Sequence, residues 1–116
     1  MPWAIEYADE FADWLETVTV SEQRRIDAAV ELLEERGPAL GRPLADTVTT
    51  SRHPNLKELR PTPTIRIFFA FDPRRVGVLL IGGDKRGDRR FSERLVPLAD
   101  SLYVRHLEAL GPKEAG

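Results

Sequence analysis

The spacing of apolar residues changes period along this 116-residue chain, and each change marks an element. Trp3-Ala4-Ile5-Glu6-Tyr7 alternates and is rich in aromatic residues, which predicts a strand over Trp3–Tyr7. From Phe11 the period lengthens. Phe11, Trp14, Leu15 and Val18 recur at helical spacing, and Asp9, Glu10 and Asp13 lie early in that helix, where its dipole favours acidic side chains. Thr17–Ser21 reads as a connection, because Thr19 followed three residues later by Glu22 is the pattern of a capping box. Ile26, Val30 and Leu33, with Ala29 beside them, form the apolar stripe of a second helix that Gly37-Pro38 ends. Trp3 and Trp14 are expected in the core; a groove for a partner is the alternative.

Residues 38–54 are rich in Pro, Gly, Thr and Ser, with little periodicity, and predict a long connection that is either functional or a plain surface excursion. The period then falls to that of strands. Leu56–Arg60 is a short alternating segment, and Ile65–Phe71 is β-branched and aromatic. Asp72-Pro73-Arg74-Arg75 is a turn, and Val76–Ile81 is the next strand, ended by Gly82-Gly83. Leu98, Leu102, Tyr103, Leu107 and Leu110 predict a C-terminal helix closed by Gly111-Pro112. The expected fold is α+β: an N-terminal strand, a helical hairpin, a three-stranded antiparallel meander and a C-terminal helix, with the helices on one sheet face. One domain over residues 1–110 and a short tail at 111–116 follow.

Composition narrows this little: 41% hydrophobic and 31% charged residues are ordinary for a globular domain. The absence of cysteine removes disulfides, thiol nucleophiles and thiolate metal sites. The longest apolar run, Val76–Ile81, suits a buried strand and not a membrane span. The first residues lack the basic segment and apolar stretch of a secretory signal, so a cytoplasmic protein is expected. The net charge of −2 argues against a nucleic-acid partner, but its distribution argues the other way. Residues 1–50 carry 4 Arg/Lys against 11 Asp/Glu, whereas residues 51–94 carry 11 against 5. An acidic half and a basic half imply either different partners or simply two solvated faces.

Four segments resemble the RelE/ParE toxin superfamily, and within it the HigB-like, phage-derived branch. They are Gly37-Pro38-Ala39-Leu40-Gly41-Arg42-Pro43-Leu44, Leu56-Lys57-Glu58-Leu59-Arg60, Ile65-Arg66-Ile67-Phe68-Phe69-Ala70-Phe71-Asp72 and Leu80-Ile81-Gly82-Gly83-Asp84-Lys85. The resemblance implies a RelE-like fold and the role of toxin in a type II toxin–antitoxin pair. It further implies an endoribonuclease that cuts messenger RNA, often on the ribosome, neutralised by a helix-turn-helix antitoxin. Two other readings stand beside it: a ParE-like poison of DNA gyrase, and an inactive binding module of the same fold.

Metal-free RNA cleavage needs a base for the 2′-hydroxyl, fixed cations for the phosphate and a proton for the 5′-oxygen. Arg suits the second need through its planar fork. The resemblance places functional cations at Arg60, Arg66 and Lys85. Arg60 ends one strand and Arg66 opens the next, so an antiparallel hairpin makes them neighbours. The plainer readings are an Arg60 paired with Glu58 or a helix carboxylate, an outward solubilising Arg66 and an ordinary turn Lys85. Lys57, Arg86, Arg89 and Arg90 are expected as further RNA contacts. Phe91 is expected to stack on a base; related toxins carry Tyr or Trp in this stretch, whereas Phe can stack but not transfer a proton. The alternative is a charged loop leading into the last helix. His53, on the basic side, is a candidate acid/base or RNA contact, while His106 reads as a helix-surface or packing residue. The two histidines are far apart in sequence with no third ligand, so no metal or cofactor is expected. The acidic hairpin is suited to a basic antitoxin segment, or only to solubility.

Overall fold

The computed structural model describes residues 2–112, so residues 113–116 of the expected tail lie outside it. The elements are β1 (Ile5–Tyr7), α1 (Asp9–Leu15), α2 (Val20–Arg36), β2 (Ala45–Thr47), β3 (Lys57–Leu59), β4 (Ile65–Phe71), β5 (Gly77–Asp84) and α3 (Phe91–Leu110). They form one five-stranded sheet in the order β1-β5-β4-β3-β2. The meander β3-β4-β5 is antiparallel, β2 extends it antiparallel, and β1 closes the far edge parallel to β5. No described helix is long and apolar enough to cross a membrane.

Local chemistry sets several boundaries where expected. Thr19 Oγ1 accepts the Glu22 N–H at 3.1 Å and Glu22 Oε1 accepts the Thr19 N–H at 2.9 Å, a complete capping box at the start of α2. Gly37 ends α2 at φ 56°, a conformation that favours glycine. A Cβ there would also lie 2.4 Å from the Trp3 ring, so this glycine lets the N-terminal segment cross the helix end.

Three expectations are corrected. The helices do not share one sheet face. Phe11, Ile26, Val30 and Leu33 of α1 and α2 pack on Leu59, Ile65, Ile67, Phe69 and Leu79. Val96, Ala99, Leu102 and Tyr103 of α3 pack on Phe68, Ala70, Val78 and Leu80 from the other side. The continuous apolar run of β4 after Ile67 is the sequence trace of a strand buried on both faces. Second, the long connection contributes a strand, β2, which pairs with β3. Third, Gly82 and Gly83 do not end β5 but lie within it. A Cβ on Gly82 would fall 2.4 Å from the Trp14 ring of α1, and one on Gly83 2.7 Å from Leu95 and 2.8 Å from Phe91 of α3. Consecutive strand residues face opposite ways, so the glycine pair opens the sheet to a helix on each side.

The β4–β5 turn is anchored to α3 by a buried carboxylate. The Asp72 side chain is 0% exposed. It accepts the Arg74 N–H at 2.9 Å, the Val76 N–H at 3.2 Å and the Arg74 guanidinium at 2.7 Å. It also lies 2.8 Å from His106 Nε2, so the C-terminal histidine is a latch between α3 and the turn. Burial raises the carboxyl's pKa, but the bonds from His106, Arg74 and Val76 and the Arg74 charge outweigh it and hold the group below its ordinary 3.8. A depressed carboxylate contributes stability that is fully present above the unfolded value and is lost as pH falls through the folded one. Thermal unfolding followed by circular dichroism should therefore show the midpoint falling as pH drops through and below 3.8. Asp72→Asn should flatten that acid limb, and an unchanged limb would refute the assignment.

Candidate functional site

Strand direction brings the ends of β3 and β5 and the start of β4 to one end of the sheet. Leu59 lies opposite Ile67, which puts Arg60 next to Arg66 one step on, and Arg66 lies opposite Gly83. Glu58 is opposite both Asp46 and Phe68, so these side chains share the α3 face of the sheet. A chain of alternating charge crosses that face. Arg42 lies 3.7 Å from Asp46, Asp46 3.6 Å from Arg60, and Arg60 2.9 Å from Glu58 Oε1. The same Glu58 oxygen is 3.9 Å from Arg66 Nε.

Arg66 is the most enclosed of these cations, its side chain 12% exposed. Its Nη1 donates to the Ile65 carbonyl at 2.9 Å and the Thr62 carbonyl at 3.1 Å, which aims the guanidinium across the β3–β4 turn. Burial lowers its pKa most; the Glu58 charge opposes that shift and the Arg60 charge adds to it. The group stays cationic at ordinary pH, but it is a crowded, partly desolvated charge of the kind that gains most from an anion. Arg25, Arg60 and Arg66 line one open cleft, walled by Pro43, Leu44, Pro61, Thr62 and Pro63.

Beside the cleft the chain leaves β5. The Lys85 N–H donates to the Thr64 carbonyl at 2.9 Å, continuing the ladder to the sheet's end. Asp84 and Asp88 accept the backbone N–H groups of Arg86 and Arg90 at 2.9 and 3.0 Å, and Gly87 takes φ 66°. These bonds shape the loop while leaving its cations free. Lys85, Arg86, Arg89 and Arg90 are exposed, and none has an ion-pair partner among the described residues.

The middle of this chain matches the family described as "Phage derived protein Gp49-like (DUF891)" over residues 13–104. The chain belongs to that family. Among curated proteins, the Gp49-like chain is 41% identical over 104 residues to the candidate toxin HigB2 of Mycobacterium tuberculosis, covering 85% of this chain and 52% of HigB2. It is 46% identical over 89 residues to the candidate toxin HigB3 of the same organism, covering 75% of this chain and 78% of HigB3. It thus spans about half the length of one relative and most of the other. Among solved structures it is similar to the archaeal RelE–RelB complex from Pyrococcus horikoshii, with TM-score 0.61 and 15% identity over 76% of this chain and 99% of that one. A mutant of the E. coli toxin RelE in the free state gives TM-score 0.60 and 10% identity over 82% of this chain and 96% of that one. These structural likenesses show a RelE-like fold, and the sequence matches make the Gp49-like chain HigB-like.

The Gp49-like fold brings together Arg60 and Arg66 and sets the Lys85–Arg90 loop beside them. It does not bring in three other expected RNA contacts. Lys57 lies opposite Phe69, on the α1/α2 face, and its Nζ donates to the Pro38 carbonyl at 3.1 Å. His53 precedes β3, at the opposite end of that strand from Arg60, with its ring edge-on to Tyr103 at 5.2 Å. Phe91 is buried, its ring 6.1 Å from Phe68. A ring packed there fills the α3 core and is not presented to a base. The sequence offers Glu58 as a partner for Arg60 and does not mark Asp46 or Arg25. Glu58 and Arg60, two apart on a strand, had to share a face, so alternation carried that signal. No local pattern singled out Arg25 in an acidic helix.

Proposed function

We propose that this protein is the toxin of a type II toxin–antitoxin pair and a metal-independent endoribonuclease acting on messenger RNA. The observation that carries this reading is the pair Arg60 and Arg66, held on one carboxylate at the sheet end next to a loop of unpaired cations. The relatives' names as candidate toxins, and the RelE–RelB pairing of a structural neighbour, support the toxin role and an antitoxin partner. A helix-turn-helix antitoxin and action on the ribosome are the partner and setting that the family resemblance adds.

In this reading Arg66 and Arg60 meet the scissile phosphate, and Glu58 accepts the 2′-hydroxyl proton as the 2′-oxygen attacks phosphorus. A 2′,3′-cyclic phosphate forms and the 5′-oxygen leaves with a proton from water. Phosphate must compete with Glu58 for Arg60, so the carboxylate is released towards the proton it accepts as substrate binds. Charge-assisted bonds from two planar guanidiniums are the right aid for charge that grows on phosphoryl oxygens. The exposed Lys85, Arg86, Arg89 and Arg90 supply sequence-independent attraction for the backbone.

The test is to induce the protein alone and with its antitoxin, then map RNA ends in growing cells. New ends within translated codons, absent when the antitoxin is co-expressed, are the expected result. Intact messages with stalled replication would instead favour a gyrase poison, and absence of toxicity would favour a binding module.

A further inference from the structure

The cleft beside the arginine pair has a third cation that the cleavage chemistry does not use. Arg25 projects from α2, the acidic hairpin, yet it lines the same cleft as Arg60 and Arg66. Carboxylates surround it in the sequence, with Glu22 and Asp27 close by, but Arg25 is exposed and enters no ion pair among the described residues. Arg60 and Arg66, by contrast, are both tied to Glu58. Three prolines, Pro43, Pro61 and Pro63, wall the cleft. Proline has no N–H and a fixed φ, so these three residues stiffen the wall without adding donors, and the cleft's positive charge comes from the guanidiniums.

We propose that Arg25 binds a second phosphodiester of the same single-stranded RNA, next to the one held by Arg60 and Arg66. The strand then runs from the Lys85–Arg90 loop, across the arginine pair, to the corner where α2 meets the β3–β4 turn. The inference rests on the ribonuclease reading and adds the path and minimum length of the substrate. It also gives the acidic hairpin a role: its excess of carboxylates disfavours the RNA backbone, and Arg25 offers a cation at the cleft's corner.

The test uses 2′-O-methyl RNA, which binds without being cleaved, as a hexanucleotide and as a dinucleotide with a single phosphodiester. Affinity is read by fluorescence anisotropy across a salt series for the wild type, Arg25→Ala, Arg25→Lys, Arg24→Ala and Arg66→Ala. Arg25→Ala should weaken the hexanucleotide about 3–10-fold near 0.1 M salt and lower the slope of log affinity against log salt by about 0.7, one single-strand phosphate contact. Arg25→Lys should restore most of that slope. Arg24→Ala removes a neighbouring exposed charge that does not line the cleft, and should leave both unchanged. The dinucleotide should respond to Arg66→Ala and not to Arg25→Ala. Equal loss on both ligands would overturn the second-phosphate assignment, as would a hexanucleotide affinity that Arg66→Ala weakens and Arg25→Ala does not. If neither variant alters binding of either ligand, the inference and the ribonuclease reading fail together.

Discussion

Arg66→Ala should lower the rate of RNA cleavage by about 10²–10³-fold, the effect of removing one preorganised donor to a developing oxyanion, about 2.7–4 kcal/mol. The geometry makes Arg66 the stronger of the two arginines for this role. Arg60 is engaged by Glu58 and Asp46, while Arg66 is oriented by two backbone carbonyls and lies 3.9 Å from Glu58. Its direction is thus set chiefly by the turn carbonyls, with Glu58 at the longer distance. Arg66→Lys should recover only a small part of the rate, because a lysine keeps the charge but cannot make two parallel bonds to phosphate. Single-turnover cleavage of a defined message measures the rate, and thermal unfolding of the same samples separates catalysis from folding. Retained cleavage in a well-folded Arg66→Ala would refute the assignment. A rate that falls only in proportion to the folded fraction would make Arg66 a structural residue.

Phe91→Ala should destabilise the protein by about 3–5 kcal/mol, the usual cost of emptying a buried aromatic site. The ring lies at the first turn of α3, stacked on Phe68 and facing the space that Gly83 leaves open. Its loss would free the start of the helix that follows the cationic loop, so RNA affinity would fall as a secondary effect. Phe91→Leu separates packing from stacking. It keeps apolar volume and should leave the affinity of the folded protein for single-stranded RNA unchanged. A base stacked on this ring would lose about 1–3 kcal/mol on its removal. A Phe91→Leu protein with native stability and at least tenfold weaker RNA binding would therefore restore Phe91 to the interface.

The expectation for Phe91 failed for a specific reason. Lys85–Arg90 made its surroundings look like surface, because charge density along a chain is local information. The direction of the ring was set by Gly83, eight residues earlier, and by Phe68 on another strand. Register and direction set the two other residues apart from the arginine pair. Lys57 is three residues before Arg60, an odd separation, so alternation alone sends it to the opposite face. His53 belongs to the same basic stretch as Arg60, but the strand carries it to the far end of the sheet. Gly82-Gly83 read as a terminator because consecutive glycines commonly mark turns; here they are the meeting points of helices that pack from opposite sides.

Arg60 and Arg66, by contrast, were legible as neighbours. A strand–turn–strand segment with one cation at the end of the first strand and one at the start of the second allows little else. Their common carboxylate was legible too, since Glu58 shares Arg60's face by strand alternation.

By itself the sequence determined the three α-helices, the antiparallel meander and β1, though not β2, because periodicity, the Thr19–Glu22 capping box and the Gly37 stop act over a few residues each. It also determined that the basic residues gather in the second half of the chain. Only the tertiary structure decided which of them meet. The placing of α3 opposite the helical hairpin, the pairing of β2 with β3 and the approach of Arg25 to Arg60 and Arg66 join segments far apart in the chain, and such contacts are set by packing volume and strand register. The cationic half read from the sequence is therefore not one surface: part of it is core, part lies on the wrong face, and the candidate site is what remains at one end of the sheet, completed by an arginine from the acidic half.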